Sequence, residues 1–88
     1  MTYEIKFTKG AIKLFRKLPQ NLQERIQVEI NDLANDPRPN GVLKLKGEEN
    51  SYRIRVGDYR VIYEIYDDIL LISIVKVKHR SEVYKDDS

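Results

Sequence analysis

The sequence predicts an α+β fold in which two helices pack on one face of a mostly antiparallel sheet, in the order β-α-α-β-β-β. Three observations predict it. An alternating stretch opens the chain, two segments of helical periodicity follow, and the second half is β-branched and aromatic almost throughout. A chain of 88 residues has apolar surface for one core, so we expect a single domain over residues 1–88.

The first half of the chain contains a predicted helical hairpin. Residues 2–7 alternate apolar and polar side chains, which is the period of a half-buried strand. Thr8 can cap a short helix that ends before Pro19. A second, longer helix with an apolar stripe over residues 22–34 follows, and the turn-forming residues 36–41 lead back to the sheet.

The second half of the chain supplies the rest of the sheet. We expect strands at Ser51–Val56, Tyr59–Tyr66 and Ile69–Lys78, with Val42–Leu45 as either a short strand or an extended lead-in. The dipeptide Gly57-Asp58 favours a two-residue type II′ hairpin. The dipeptide Asp67-Asp68 contains no glycine, which leaves a longer loop open.

Pairing of two of these strands predicts a patch of three arginines. If Gly57-Asp58 is the turn, Arg55 lies directly opposite Arg60, and Arg53 shares their face. The opposite face is apolar and should pack on the helices. Directly opposed like charges destabilise a sheet, so we interpret the patch as a site for an anion or for the acidic side chains of a partner protein. The alternative is that the arginine stems splay into water and cover apolar neighbours.

The last predicted strand ends in a second basic cluster, which contains His79, the one histidine of the chain. A two-residue turn after Tyr66 would place His79 on the arginine face, provided that no bulge intervenes, and would send Lys78 and Arg80 to the other face. Tyr84 can fold back over the patch if the chain turns after the strand. Clustered cations attract polyanions although the net charge is only +2.

Composition excludes several classes of protein. The chain has no cysteine and one histidine, which excludes a disulfide framework, a thiolate nucleophile, a cysteine zinc site and a histidine-rich metal site. We therefore expect no cofactor. No apolar run is long enough to span a bilayer, and the first residues lack the core of a signal peptide, so we expect a cytoplasmic protein.

Three motifs in this order resemble the RelE/ParE superfamily of bacterial and archaeal toxins: YRIR at 52–55, DYRVIYEI at 58–65 and HRSEVY at 79–84. The similarity extends from Tyr3 to Tyr84. It implies a RelE-like mRNA interferase of a type II toxin-antitoxin system, which cuts messenger RNA in the ribosomal A site. The implied partners are a cognate RelB-like antitoxin, the ribosome and mRNA, with no role for a membrane.

The resemblance also implies site residues. The catalytic set is Arg60, Lys78, His79 and Tyr84, and the set that binds RNA phosphate is Arg53, Arg55 and Arg80. In such enzymes the 2′-hydroxyl of the RNA attacks the adjacent phosphorus, and the protein moves protons and neutralises phosphoryl charge. Arginine cannot act as a general base at neutral pH, so Lys78, His79 and Tyr84 remain as candidates for proton transfer.

Two other functions stay open. ParE relatives share the fold and inhibit DNA gyrase without cutting RNA, although the combination of Arg60, His79 and Tyr84 favours the ribonuclease branch. A basic module that only contacts phosphates would bind RNA with a steep salt dependence and cut nothing.

Overall fold

The computed structural model describes residues 2–47 and 49–81, and the predicted α+β fold is confirmed. The elements in chain order are β1 (Glu4–Phe7), α1 (Lys9–Arg16), α2 (Gln20–Leu33), β2 (Leu43–Lys44), β3 (Ser51–Val56), β4 (Tyr59–Tyr66) and β5 (Leu71–His79). The segment that the sequence left open between strand and lead-in contains the short strand β2. Within the described ranges there is no helix long and apolar enough to cross a membrane.

Capping by Thr8 and the proline at position 19 set the bounds of the helical hairpin. The hydroxyl of Thr8 accepts a hydrogen bond from the backbone N–H of Ala11 at 3.2 Å, which satisfies one of the open donors at the start of α1. At the other end of α1, the amide of Gln23 donates to the carbonyl of Leu18 at 2.8 Å. This bond closes the turn around Pro19 and ties the two helices together.

The five strands form one mixed sheet in the order β1-β5-β4-β3-β2. Strand β1 runs parallel to β5, and the other neighbours are antiparallel. Both helices cover the same face. The buried apolar residues of the described chain form one cluster: Ala11, Phe15, Ile26, Ile30, Leu33, Ile54, Val56, Val61, Tyr63, Ile65, Ile72, Ile74 and Val77. The opposite face of the sheet is not covered by the two helices, so polar side chains on it are available to bind a ligand.

The predicted pairing of β3 with β4 is confirmed. Arg55 lies opposite Arg60, and Val56 lies opposite Tyr59 across the turn. Gly57 has a φ of +60°, whereas Asp58 has a negative φ, and this combination matches a type II′ turn. The alternation of side chains then places Arg53, Arg55 and Arg60 on the face away from the helices.

The predicted pairing of β4 with β5 is wrong. Tyr66 lies opposite Leu71, so four residues form the turn instead of two, and β5 starts two residues later than expected and ends at His79. Leu70 takes a φ of +51°, a left-handed conformation that costs a residue with a Cβ atom about 1–2 kcal/mol. The turn needs such a residue, and neither Asp67 nor Asp68 supplies it.

A β-bulge in β5 then changes the alternation of side chains. Tyr63 lies opposite Ile74, but Ile62 lies opposite Lys76, so that Val75 is the extra residue. The hydroxyl of Thr8 donates to the carbonyl of Val75 at 3.3 Å, which anchors the bulge to the start of α1.

The bulge reverses two predicted orientations. Lys78 lies opposite Arg60 on the arginine face, and His79 lies opposite Tyr59 on the helix face. The expectation that His79 shares the arginine face and that Lys78 points away from it is wrong, because one inserted residue exchanges the two faces of a strand.

A polar network on the helix side joins the loop after α2 to the turn between β4 and β5. Arg38 and Asp67 form an ion pair with 2.9 Å between Nη2 and Oδ2, and the guanidinium lies 5.2 Å from the centre of the Tyr52 ring. The hydroxyl of Tyr3 donates to the same carboxylate. Hydrogen bonds from Arg38 and then from Tyr3 lower the pKa of Asp67.

We expect Asp67→Asn to destabilise the fold at neutral pH but not in acid. A carboxyl with a lowered pKa in the folded state stabilises the protein above its unfolded pKa, near 3.8. That contribution is lost as the pH falls through the folded-state pKa. Thermal unfolding at pH 7 and in steps down to pH 2.5 measures the effect. Asp68→Asn, which removes the same charge one residue away, is the control, and a pH-independent difference from wild type contradicts the prediction.

Candidate functional site

Three cations form a row across the middle of the sheet. Arg55 in β3 lies opposite Arg60 in β4, which in turn lies opposite Lys78 in β5. We call these three residues the cationic row. Side chains directly opposite each other have Cβ atoms about 5 Å apart, so the three charged groups extend from one small area.

A second row adds two more cations beside the first. Arg53 in β3 and Lys76 in β5 both lie opposite Ile62 in β4, and Leu43 of β2 lies opposite Arg53. We call the two rows together the cationic face. Sequence reasoning missed Lys76 because the alternation expected without a bulge does not place it here. A prediction of the bulge would have placed Lys76 on this face, but no local sequence motif in β5 indicates a bulge.

Burial differs along the cationic row. Lys78 is only 9% exposed, and the Nη1 nitrogen of Arg60 is shielded from solvent. Arg55 is exposed at the edge, where its Nε donates to the carbonyl of Gly57 at 3.3 Å. Charges partly removed from water interact more strongly with an incoming ion than exposed charges do. The inner part of the row, at Arg60 and Lys78, is therefore the strongest position for an anion.

His79 lies on the other side of β5 from the cationic row. Its ring packs edge-on against Tyr59, with 5.2 Å between the ring centres and an angle of 86°. The backbone N–H of Ser81 donates to Nδ1 at 3.3 Å, so in the neutral ring the hydrogen is on Nε2. These contacts hold the imidazole against the helix face of the sheet.

Of the two remaining residues of the predicted site, Arg80 is described by the structure and Tyr84 is not. The backbone N–H of Arg80 donates to the carbonyl of Asp58 at 2.7 Å, and Nε of Arg80 is 4.0 Å from Oδ1 of Asp58. Arg80 is thus held beside the turn between β3 and β4, at the edge of the cationic face. Tyr84 lies outside the described residues, so its place at the site stays a prediction.

The described part of the chain offers no group of three histidine, cysteine, aspartate or glutamate side chains that could hold a metal ion. What the arrangement can do follows from its charges. Arginine can bind phosphate oxygens through two parallel N–H groups, and lysine adds a compact point charge. The cationic face is suited to holding a phosphodiester and stabilising negative charge that develops on it.

We expect Arg55→Gln to stabilise the free protein at low salt, by about 0.5 kcal/mol, because it removes one member of a directly opposed like-charged pair. The gain should shrink between 0.01 M and 1 M salt, where the Debye length falls from about 30 Å to about 3 Å. Urea unfolding at several NaCl concentrations measures it. Lys46→Gln removes the same charge from an exposed loop position outside the cationic face. Equal changes in the two variants contradict the prediction.

Comparison with known proteins identifies the family of this chain. The sequence-family model described as the ParE toxin of type II toxin-antitoxin systems matches residues 5–84. Toxin RelE3 of Methanocaldococcus jannaschii is 32% identical over 85 residues, covering 92% of this chain and 94% of the relative. The mRNA interferase toxin RelE of Escherichia coli K12 is 29% identical over 90 residues, covering 98% of this chain and 94% of the relative.

A solved structure agrees with these sequence matches. The crystal structure of the archaeal RelE-RelB complex from Pyrococcus horikoshii OT3 superposes with a TM-score of 0.81 at 36% identity, covering 91% of this chain and 97% of that one. The resemblance predicted from the three motifs is confirmed, since the similarity in sequence and in fold extends over nearly the whole chain. The chain belongs to the RelE/ParE superfamily and is a RelE-like toxin of a type II toxin-antitoxin system.

Proposed function

We propose that this toxin is an endoribonuclease that cleaves messenger RNA in the A site of the ribosome. The observation that carries the proposal is the cationic row, in which Arg55, Arg60 and Lys78 from three adjacent strands meet on one face. Three like charges in direct opposition destabilise the sheet, and binding of a phosphodiester to the row would offset that cost. The relative from Escherichia coli K12 that is called an mRNA interferase supports the same activity.

The proposed reaction uses the RNA itself as the nucleophile. The 2′-oxygen forms a bond to the adjacent phosphorus, the bond from phosphorus to the 5′-oxygen breaks, and the products are a 2′,3′-cyclic phosphate and a 5′-hydroxyl. A base takes the proton of the 2′-hydroxyl, and an acid protonates the leaving 5′-oxygen. Charge grows on the non-bridging oxygens of the phosphate between these events. Arg60 lies at the centre of the row and is assigned to those oxygens, with Arg55 and Arg53 beside it.

Proton transfer is assigned to Lys78 and Tyr84 ahead of His79. Lys78 lies directly opposite Arg60, and unlike arginine it can exchange a proton when its surroundings disfavour the charged form. His79 lies on the opposite face and is held by Tyr59 and Ser81. The tyrosine at position 84 is proposed to orient the 2′-hydroxyl, to stack on a base or to transfer a proton.

The ribosome and an antitoxin are the proposed partners. The two cationic rows are suited to holding phosphate, so the ribosome is expected to present the codon and to supply most of the alignment that in-line attack requires. A RelB-like antitoxin is proposed from the Pyrococcus horikoshii relative, which was crystallised as a RelE-RelB complex. Arg80 is proposed to contact RNA phosphate at the edge of the cationic face.

We expect Arg60→Ala and Lys78→Ala each to lower the rate of mRNA cleavage by about 100-fold or more, because each removes a group that acts on the reacting phosphate. His79→Ala should retain most of the activity. The measurement is cell-free translation with purified toxin, followed by mapping of messenger 5′ ends. Arg16→Ala on α1 is the control. Full activity of Lys78→Ala together with loss in His79→Ala would reverse the assignment of these two residues.

We also expect a large difference between substrates. The same messenger should be cleaved efficiently in translating ribosomes and only weakly as free RNA, because the ribosome is expected to supply most of the alignment of the attacking hydroxyl. Parallel time courses on ribosome-bound and free messenger measure the ratio, with Tyr84→Phe as a variant in both. Equal rates on the two substrates contradict a ribosome-dependent reaction.

A second candidate is inhibition of DNA gyrase without RNA cleavage. One observation favours it, namely that the matching family model is described as the ParE toxin. A supercoiling assay separates the two functions. Gyrase inhibition that survives Arg60→Ala and Lys78→Ala, with no messenger cleavage by the wild-type toxin, would favour this candidate.

A further inference from the structure

The face that carries the cations changes sign along β4. Two rows beyond Arg60 on the same face is Glu64, and Tyr66 follows it. The Tyr66 hydroxyl donates to Oε1 of Glu64 at 2.8 Å. This hydrogen bond raises the pKa of Tyr66, so the phenol keeps its proton and continues to donate at neutral pH. Neither residue has a role in the reaction proposed above.

The cross-strand neighbours of Glu64 are both small. Ser51 and Ser73 lie opposite it in the two adjacent strands. Ile62 and Tyr66 lie two positions before and after it on the same face of β4. Those two side chains start about 13 Å apart along the strand, since a strand rises about 3.3 Å per residue. The carboxylate is therefore flanked by small side chains across the sheet and by an aromatic side chain along β4.

The donor and acceptor pattern of Glu64 and Tyr66 determines which ligand suits them. Oε1 of Glu64 accepts the Tyr66 hydroxyl, and within residues 2–47 and 49–81 the structure gives Oε2 no hydrogen bond. A carboxylate repels phosphate but accepts N–H groups, such as the exocyclic amine of cytosine. An aromatic side chain can stack on any base. An RNA strand along β4 would therefore place its phosphates at the cationic rows and a base at Glu64.

We propose that Glu64 and Tyr66 form a base-recognition subsite that favours a base with an exocyclic amino group over uracil, at a position within a few nucleotides of the scissile phosphate. The proposal rests on the proposed RNA cleavage. Glu64 lies about 13 Å along the strand from Arg60, which places the recognised base near the cut and not at it. Uracil presents a carbonyl oxygen where cytosine presents its amine, and that oxygen faces the carboxylate unfavourably.

The first test compares cleavage sites in Glu64→Gln with those of the wild-type toxin. A ribosome-bound messenger library with randomised bases around the A site is digested with the toxin. The cleaved messengers are sequenced, and the frequency of each base is determined at each position near the cut. Wild-type toxin should discriminate against uridine at one position by about two- to ten-fold, the size of one hydrogen bond. Glu64→Gln should remove that discrimination, because an amide can both donate and accept.

Two further variants sharpen the comparison. Tyr66→Phe keeps the ring but removes the hydrogen bond to Glu64, so part of the discrimination should be lost. Glu29→Gln, on an exposed position of α2, removes the same charge away from the sheet and should leave the base frequencies as in wild type. Base frequencies that are identical in wild type and Glu64→Gln overturn the subsite while leaving the proposed cleavage intact.

A binding measurement keeps the subsite testable if the wild-type toxin cuts no messenger. Isotope-labelled toxin is titrated with cytidine and with uridine monophosphate, and the backbone amide signals of residues 62–66 are followed by NMR. Cytidine monophosphate should bind about two- to ten-fold more tightly and shift these signals, and the preference should vanish in Glu64→Gln. Equal affinity of the two nucleotides overturns the subsite, whereas loss of cleavage with a retained preference overturns only the proposed function.

Discussion

The composition of the cationic face depends on one inserted residue in β5. Without Val75 as a bulge, Val77 would lie opposite Arg60, His79 would share the face of the arginines, and Lys78 would turn toward the helices. The bulge is held by Thr8, whose hydroxyl accepts from the first turn of α1 and donates to the Val75 carbonyl. A capping residue of the hairpin thereby contacts the bulge that places Lys76 and Lys78 on the cationic face.

The parts of the fold predicted correctly from the sequence are those set by local chemistry. Gly57 at a two-residue turn determined the pairing of β3 with β4, and the shared face of Arg53, Arg55 and Arg60 followed from it. The pairing with β5 could not be predicted in the same way. A leucine at position 70 takes the left-handed conformation, and the bulge at Val75 depends on contacts with a distant residue. Both features depend on tertiary structure, and local sequence patterns carry no information about such contacts.

Charge is distributed unevenly over the two sides of the sheet. On the helix side, Arg38 is matched by Asp67 and stacked on Tyr52, so this cation serves to join the loop after α2 to the sheet. On the other side, Arg55 lies directly opposite Arg60, and Arg60 lies directly opposite Lys78, so like charges occur in direct cross-strand pairs. A small domain that accepts this loss of stability in its central strands has the pattern expected where local rules are broken for function.

The parallel pairing of β1 with β5 has a consequence for how the toxin is made. The first strand finds its partner only in the last one, so most of the chain separates the two members of this pair. Domains generally fold as units, and pairings between segments that are distant in the chain form slowly. A nascent chain that has emerged as far as β4 has its arginines but neither Lys78 nor a closed core. The order of synthesis thus delays completion of the cationic face until β5 has been synthesised.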